Sequence, residues 1–209
     1  MTADQQALLA ARPDLAAIAR WVEPQARVLD LGCGDGALLR YLWEAKHAPG
    51  YGIEIDAEQV VECLRNDVNV LQMDLESGLS TFRDGSFDCV VLSETLQAIH
   101  RTEQLMREML RVGHEAIVSF PNFGHWQARL QVALGRMPVS AALPYHWYDT
   151  PNVHLCTLQD FEDFCRTLGV RVLERLVLHA GRSVNLMPNL LGSVAVYRLG
   201  RAAPSAKAH

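Results

Sequence analysis

Arg27-Val-Leu-Asp-Leu-Gly-Cys-Gly-Asp-Gly-Ala37 is the stretch that decides the fold. Its first half is short, apolar and β-compatible. Its second half is a glycine loop, Gly32 to Gly36, that opens at once into a segment with helical periodicity through Leu38, Leu39, Leu42 and Trp43. Glycines at a strand-to-helix turn let the backbone bend sharply and approach a nucleotide-like ligand closely. Asp30 stands two residues before the first glycine. A carboxylate there accepts from an ammonium group, such as the one in the methionine portion of S-adenosylmethionine (SAM), and repels the pyrophosphate of a dinucleotide. Gly32, Gly34 and Ala37 also satisfy the G-x-G-x-x-G/A dinucleotide fingerprint, so the glycines alone leave a nicotinamide-dependent oxidoreductase open.

Two later strand ends narrow the choice. Glu54, in Gly52-Ile-Glu-Ile-Asp56, follows the glycines by about 20 positions, where an acid accepts from ribose hydroxyls. SAM and NAD both carry a ribose, so Glu54 suits either, and a plain solvated end residue is its bland alternative. Asp74, in Leu71-Gln-Met-Asp-Leu75, suits an adenine amino group, with Met73 and Leu75 flanking the ring; a helix cap or turn is the alternative. The expected set for SAM or S-adenosylhomocysteine (SAH) is Asp30, Gly32, Cys33, Gly34, Gly36, Glu54, Ile55, Met73, Asp74, Leu75 and Ser93. Cys33 resembles a reactive thiol at a helix start, but a small packing residue is the preferred reading.

Outward from this motif, strand-like and helix-like segments alternate. Strands are expected at 27–31, 51–55, 68–73, 88–92, 115–120, 170–177 and 193–198, and helices at 36–45, 57–65, 102–112 and 158–168. This is an α/β fold: a seven-stranded, mostly parallel sheet with an antiparallel C-terminal strand and helices on both faces. No crossover helix fits easily between the last two strands, which suggests an antiparallel hairpin at a sheet edge. The segment 121–156 breaks the alternation with aromatics, histidines and prolines, and reads as a cap over the ligand crevice containing a short helix at 126–134. An amphipathic helix at 13–22 either folds over the cofactor or packs on the sheet. One domain spans 1–199, and the Ala-rich tail 200–209 reads as disordered.

The 209 residues are 49% apolar and 21% charged, with a net charge of −5. That balance offers no basic face for gripping nucleic acid. The five cysteines form no metal-site or disulfide spacing, so reduced thiols in a cytoplasmic protein are expected, with no metal. No apolar run nears the roughly 20 residues needed to cross a bilayer, and the N-terminus lacks a signal-peptide pattern.

Candidate proton-handling groups are Glu94, His100, His125, His146 and Tyr148. Each has a structural alternative: Glu94 as a loop-orienting residue, His125 as a histidine packed beside Trp126, His146 and Tyr148 as a partner surface rather than a cap lining. No G-x-S-x-G elbow is present.

The motifs together resemble the MetW family within the class I SAM-dependent methyltransferase superfamily. The resemblance is carried by Arg12-Pro-Asp-Leu15, Val28 to Gly36, Gly52 to Asp56, Leu92-Ser-Glu-Thr-Leu-Gln97, Phe120-Pro-Asn-Phe-Gly-His-Trp126, Leu134-Gly-Arg-Met-Pro138 and Leu143 to Leu155. It implies a sheet order of 3-2-1-4-5-7-6 and a role in methionine biosynthesis with the homoserine O-acyltransferase called MetX. Three functions follow for comparison: a SAM-binding partner of that enzyme, an active methyltransferase on a small molecule, and the nicotinamide oxidoreductase.

Overall fold

The structure, a computed structural model, describes residues 3–140 and 144–201. In chain order the first half contains α1 (Ala3–Ala11), α2 (Pro13–Trp21), β1 (Val28–Leu31), α3 (Ala37–Lys46), β2 (Gly50–Glu54), α4 (Ala57–Arg65), β3 (Val70–Gln72) and β4 (Phe87–Ser93). The second half contains α5 (Thr102–Val112), β5 (Gly113–Pro121), α6 (Trp126–Ala133), α7 (Leu158–Leu168), β6 (Val170–His179), β7 (Arg182–Ser183), α8 (Pro188–Leu191) and β8 (Val194–Arg201).

β1 is buried along its whole length, as a central strand covered on both faces requires. It pairs in parallel with β2 and β4, β3 lies outside β2, and β5 runs parallel to β4. β8 then enters antiparallel between β5 and β6. The sheet order is β3-β2-β1-β4-β5-β8-β6-β7. Helix boundaries follow local chemistry. Asp56 caps α4 through the amides of Glu58 and Gln59, while Thr157 and Asp160 form a reciprocal capping box on α7, which stops at Gly169 in the left-handed region.

The expected seven strands gain an eighth. β7 is a two-residue strand folded back on the end of β6 through Ala180 and Gly181, both with positive φ. A two-residue hairpin needs that backbone, and Ala-Gly announces it less clearly than Asn-Gly. The expected tail loses its first two residues to the sheet. Gly200 pairs with Glu115, and the Arg201 guanidinium donates to the Leu110 and Arg111 carbonyls. The remainder, 202–209, lies outside the described residues, as do positions 141–143 of the expected cap. α1 has no counterpart in the sequence reading.

Two apolar layers sandwich the sheet. One holds Met106, Met109, Phe120, Phe161 and Tyr197 beneath α5 and α7; the other holds Ile18, Leu42, Val91 and Val196 beneath α2 and α3. α2 therefore packs on the sheet. Among the described residues, no helix is long and apolar enough to cross a membrane.

The rings of Phe120, Phe161 and Tyr197 meet at centroid separations of 4.7 to 5.8 Å. Phe161 is the one contributed by a helix, so it ties α7 to the sheet. Phe161→Ala is expected to lower stability by about 3–5 kcal/mol. Guanidinium unfolding should show a lower midpoint at an unchanged slope; an unshifted midpoint would mean that α7 is not held there.

Candidate functional site

Because β1 to β4 are parallel, their carboxyl ends share one edge, and the residues placed there converge. A cleft of about 390 Å³ opens at that edge. Gly32, Glu54, Ile55, Met73, Asp74 and Leu75 of the expected set line it, together with Thr95 and His100. Glu54 braces the cleft: one carboxylate oxygen accepts from the Gly34 amide at 2.9 Å, the other from the amides of Ile55 and Asp56. Asp74 lines the cleft and also caps the short 3-10 turn Leu75–Ser77 through the Glu76 amide. Gly32 has φ +70, and a Cβ there would come within 2.7 Å of the Thr95 hydroxyl. Only glycine satisfies both constraints. Gly36 opens α3, and its amide closes the loop on the Cys33 carbonyl.

Asp30 is 3% exposed, and its Oδ1 has no hydrogen-bond partner among the described residues. Burial pushes its carboxyl up to about 7, the charge of Arg12 opposing the shift and that of Glu54 adding to it. A buried, unsatisfied carboxylate is costly, and a ligand ammonium is the kind of group that would satisfy it. The same carboxylate disfavours a pyrophosphate at this loop.

Asp30, Cys33, Gly34, Gly36 and Ser93 of the expected set are not among the residues lining this cleft, and the side chains of two of them turn away from it. The Cys33 side chain turns into the core, 3.7 Å from the Cys63 sulfur, under Gly52, where any Cβ would overlap it. Burial pushes its thiol up, away from a reactive thiolate. Ser93 does not line the cleft; its hydroxyl donates to Asp14 and accepts from Arg12.

That contact exposes a pair the sequence reading passed over. Arg12 holds Asp14 through Nε and Nη2 at 2.9 and 2.7 Å, just where α2 begins. Asp14 is buried, and the hydroxyls of Ser93 and Ser119 also donate to it. Burial raises its carboxyl, but the Arg12 and Ser93 contacts outweigh that and leave it below its ordinary range. The available signal was an acid on the inward face of an otherwise apolar helix.

On the far side of the β4 end lies a more polar cleft of about 530 Å³, lined by Arg12, Asp14, Glu94, Asn122, His125 and His179, among others. Glu94 sits in the left-handed region at φ 49, its amide donating to the Ser119 carbonyl, and its carboxylate lies 3.5 Å from Arg12. Burial and Asp14 raise the Glu94 carboxyl, with Arg12 opposing. His125 is 6% exposed, immediately precedes α6, stacks on His179 at 4.9 Å, and leaves Nε2 without a partner among the described residues. Burial, then His179, lower its pKa and favour the neutral ring.

The remaining candidates do not join these groups. His146 and Tyr148 stack on each other at 5.5 Å, with Tyr148 69% and Trp147 73% exposed. They line neither cleft. The expected cap thus presents its aromatic run outward, while its beginning, Asn122 to Ala128, forms a wall of the polar cleft. His100 is exposed at the rim of the first cleft, its amide donating to Glu76. No cluster of three metal-ligating side chains occurs among the described residues.

The raised Asp30 carboxyl carries a pH dependence. Between about pH 4 and about pH 7 the unfolded chain ionises Asp30 while the folded protein keeps the proton. The folded state binds more protons, so stability falls as pH rises through that window, by on the order of a few kcal/mol in all. Asp30→Asn should remove this slope and gain on the wild type steadily from pH 4 to pH 7. Parallel unfolding profiles for the two proteins would show that Asp30 ionises in the folded state as freely as in the unfolded one.

Known proteins share this fold and, over much of the chain, its sequence. A bifunctional methionine biosynthesis protein MetXA/MetW from Rhodopirellula baltica is 36% identical over 172 residues, covering 78% of this chain and 28% of its own length. The chain thus spans little more than a quarter of that relative. Among solved structures, a SAM-dependent methyltransferase from Archaeoglobus fulgidus superposes with a TM-score of 0.66 at 16% identity, covering 92% of both chains. A magnesium protoporphyrin IX methyltransferase from Synechocystis PCC 6803, with bound SAH, gives 0.64 at 17% identity over 93% of this chain and 84% of its own. These two likenesses establish the class I methyltransferase fold. The model of the family described as methionine biosynthesis protein MetW matches residues 12–199, nearly the whole described chain, and the protein belongs to that family.

Proposed function

We propose that this protein binds SAM or SAH at the carboxyl edge of β1 to β4 and acts in methionine biosynthesis as a partner or regulator of homoserine O-acyltransferase. The observation that carries the binding reading is the orphaned Asp30 carboxyl, two residues before Gly32, which lines the cleft together with Glu54 and Asp74. Asp30 would hold the ammonium of the amino-acid tail, Glu54 the ribose hydroxyls and Asp74 the adenine amino group. Glu54 already accepts three amides, and a carboxylate's roughly four lone-pair sites leave room for a further donor. Gly32 keeps the wall open, and Met73 and Leu75 supply apolar sides. SAM, when bound, supplies an electrophilic methyl group or reports the supply of the pathway's product.

The partner reading is supported by the relative that joins MetXA and MetW in one name. The unpaired thiols among the described residues suit a reducing, cytoplasmic setting. A second reading, a small-molecule methyltransferase, is favoured by the polar cleft, where the raised Glu94 carboxyl and the neutral His125 ring are among the groups able to take a proton.

Calorimetric titration with SAM should show saturable binding that Asp30→Ala and Glu54→Ala both weaken by at least tenfold. Adding purified homoserine O-acyltransferase should then shift the elution of both proteins and change the enzyme's activity. If neither changes, the partner reading is wrong. Labelled product from metabolite extracts incubated with labelled SAM would favour the methyltransferase instead.

A further inference from the structure

Among the described residues, three buried side-chain polar atoms lack a hydrogen-bond partner: Asp30 Oδ1, His125 Nε2 and Gln97 Oε1. The first two belong to the sites described above. Gln97 lines neither of those clefts. It lines a separate cavity of about 270 Å³ between the carboxyl end of β5 and α7, with Leu96, Phe120, Cys156, Phe161 and Phe164.

We infer that this cavity is a second small-molecule site, built for an uncharged, flat, apolar molecule of roughly ten non-hydrogen atoms that donates one N–H or O–H to Gln97. Its size sets the first condition: a cavity of ~150 Å³ holds benzene, and this one has room for about one fused ring more. Three phenylalanine rings in the wall suit an aromatic guest, edge against face. No lysine or arginine among the described residues lines the cavity, which disfavours an anion. Its one carboxylate, Asp160, already accepts from the amide and hydroxyl of Thr157 in the α7 capping box. The Thr102 hydroxyl donates to the Ile99 carbonyl. Burial, then the charges of Asp160 and Cys165, push the Cys156 thiol up to about 12, so it forms a neutral part of the wall. Gln97 Oε1 is left as an acceptor with nothing to accept from. Its amide is also oriented: Nε2 donates to the Glu94 carbonyl at 2.6 Å, which fixes the nitrogen on that side and the oxygen on the other.

The cavity is not a gap under a loose loop. Its outer wall, residues 154–156, is stitched down by main-chain bonds. The Val153 and His154 amides donate to the Gln97 carbonyl at 2.8 and 3.0 Å, and the Cys156 carbonyl accepts from the Phe123 amide at 3.1 Å. Gln97 thus holds the wall through its backbone and offers its side chain to the guest. The stretch 94–100 also partitions three cavities. Thr95, Ala98, Ile99 and His100 line the cofactor cleft, Glu94 the polar cleft, and Leu96 and Gln97 this one. A guest on Gln97 therefore bears on a wall of the cofactor cleft.

The test uses two probes on the full chain. Indole is neutral, of this size and carries one N–H; benzofuran has nearly the same shape, with a ring oxygen in place of that donor. Cys156 is half-buried where the other four cysteines are buried, so its alkylation by N-ethylmaleimide, followed by peptide mass spectrometry, reads occupancy of the cavity. Indole should slow Cys156 alkylation saturably, and benzofuran should need a roughly 3- to 10-fold higher concentration, the span of one hydrogen bond. In Gln97→Met that gap should close while benzofuran protects as in the wild type. Equal protection by the two probes in the wild type, a result that needs no variant to fold, would overturn the assignment. So would the absence of saturable protection by indole up to its solubility limit. Equal weakening of both probes in Gln97→Met would make Gln97 a structural residue and overturn it as well. No SAM enters the experiment, so its outcome is independent of the SAM reading.

Discussion

A carboxylate buried in the middle of a parallel sheet is the constraint around which this edge of the molecule is arranged. Asp30 lies in β1 between Gly52 of β2 and Val91 of β4. Strand pairing on both sides fixes its backbone, and the glycine loop follows within two residues. It cannot swing to solvent without breaking the centre of the sheet. Desolvation therefore favours the protonated acid, and a neighbouring positive charge favours the ionised one. A fold that keeps such a group gives up stability where function asks for it.

The surrounding groups act on the same balance from different directions. Glu54 ties the glycine loop to the end of β2, and its charge disfavours ionisation of Asp30. Arg12 reaches in from the start of α2 and favours it. Asp14 anchors Arg12, and Ser93 and Ser119 anchor Asp14. Strand ends, loop and N-terminal helix are thereby coupled through charge as well as packing, although they are far apart in sequence.

The sheet was legible because its signals are local. V-L-D-L is uniformly apolar around one acid, the glycine loop marks the turn, and helix periods follow strand periods as far as α5. The cleft was legible for the same reason: Glu54 ends β2, Asp74 follows the end of β3, and parallel strands deliver their ends to one edge. The Arg12–Asp14 pair was not, because its importance depends on Ser93 and Ser119, about 80 and 105 residues away in sequence. Cys33 and Ser93 occupy the right places in the chain, yet their side chains face the core and Asp14. Neighbouring backbone decides that orientation, which composition does not reveal. His146 and Tyr148 mislead in the opposite way. Aromatic richness beside a strand end suggests a lid, but no apolar surface of the cleft receives these rings, and they pair with each other.

β8 sits between β5 and β6 although it follows both in the chain. During synthesis β4 and β5 can pair as soon as they emerge, but the flank of β5 that later meets β8, from Glu115 to Pro121, stays unpaired until residues 194–201 have left the ribosome. At typical elongation rates of ~5–20 residues per second, that interval lasts some seconds. Throughout it a strand as apolar as Ala-Ile-Val-Ser-Phe presents free amides and carbonyls to any neighbour. The nascent chain is consequently most vulnerable to aggregation during that interval, and a partner or chaperone engaging it then would protect the β5 edge rather than the cofactor cleft.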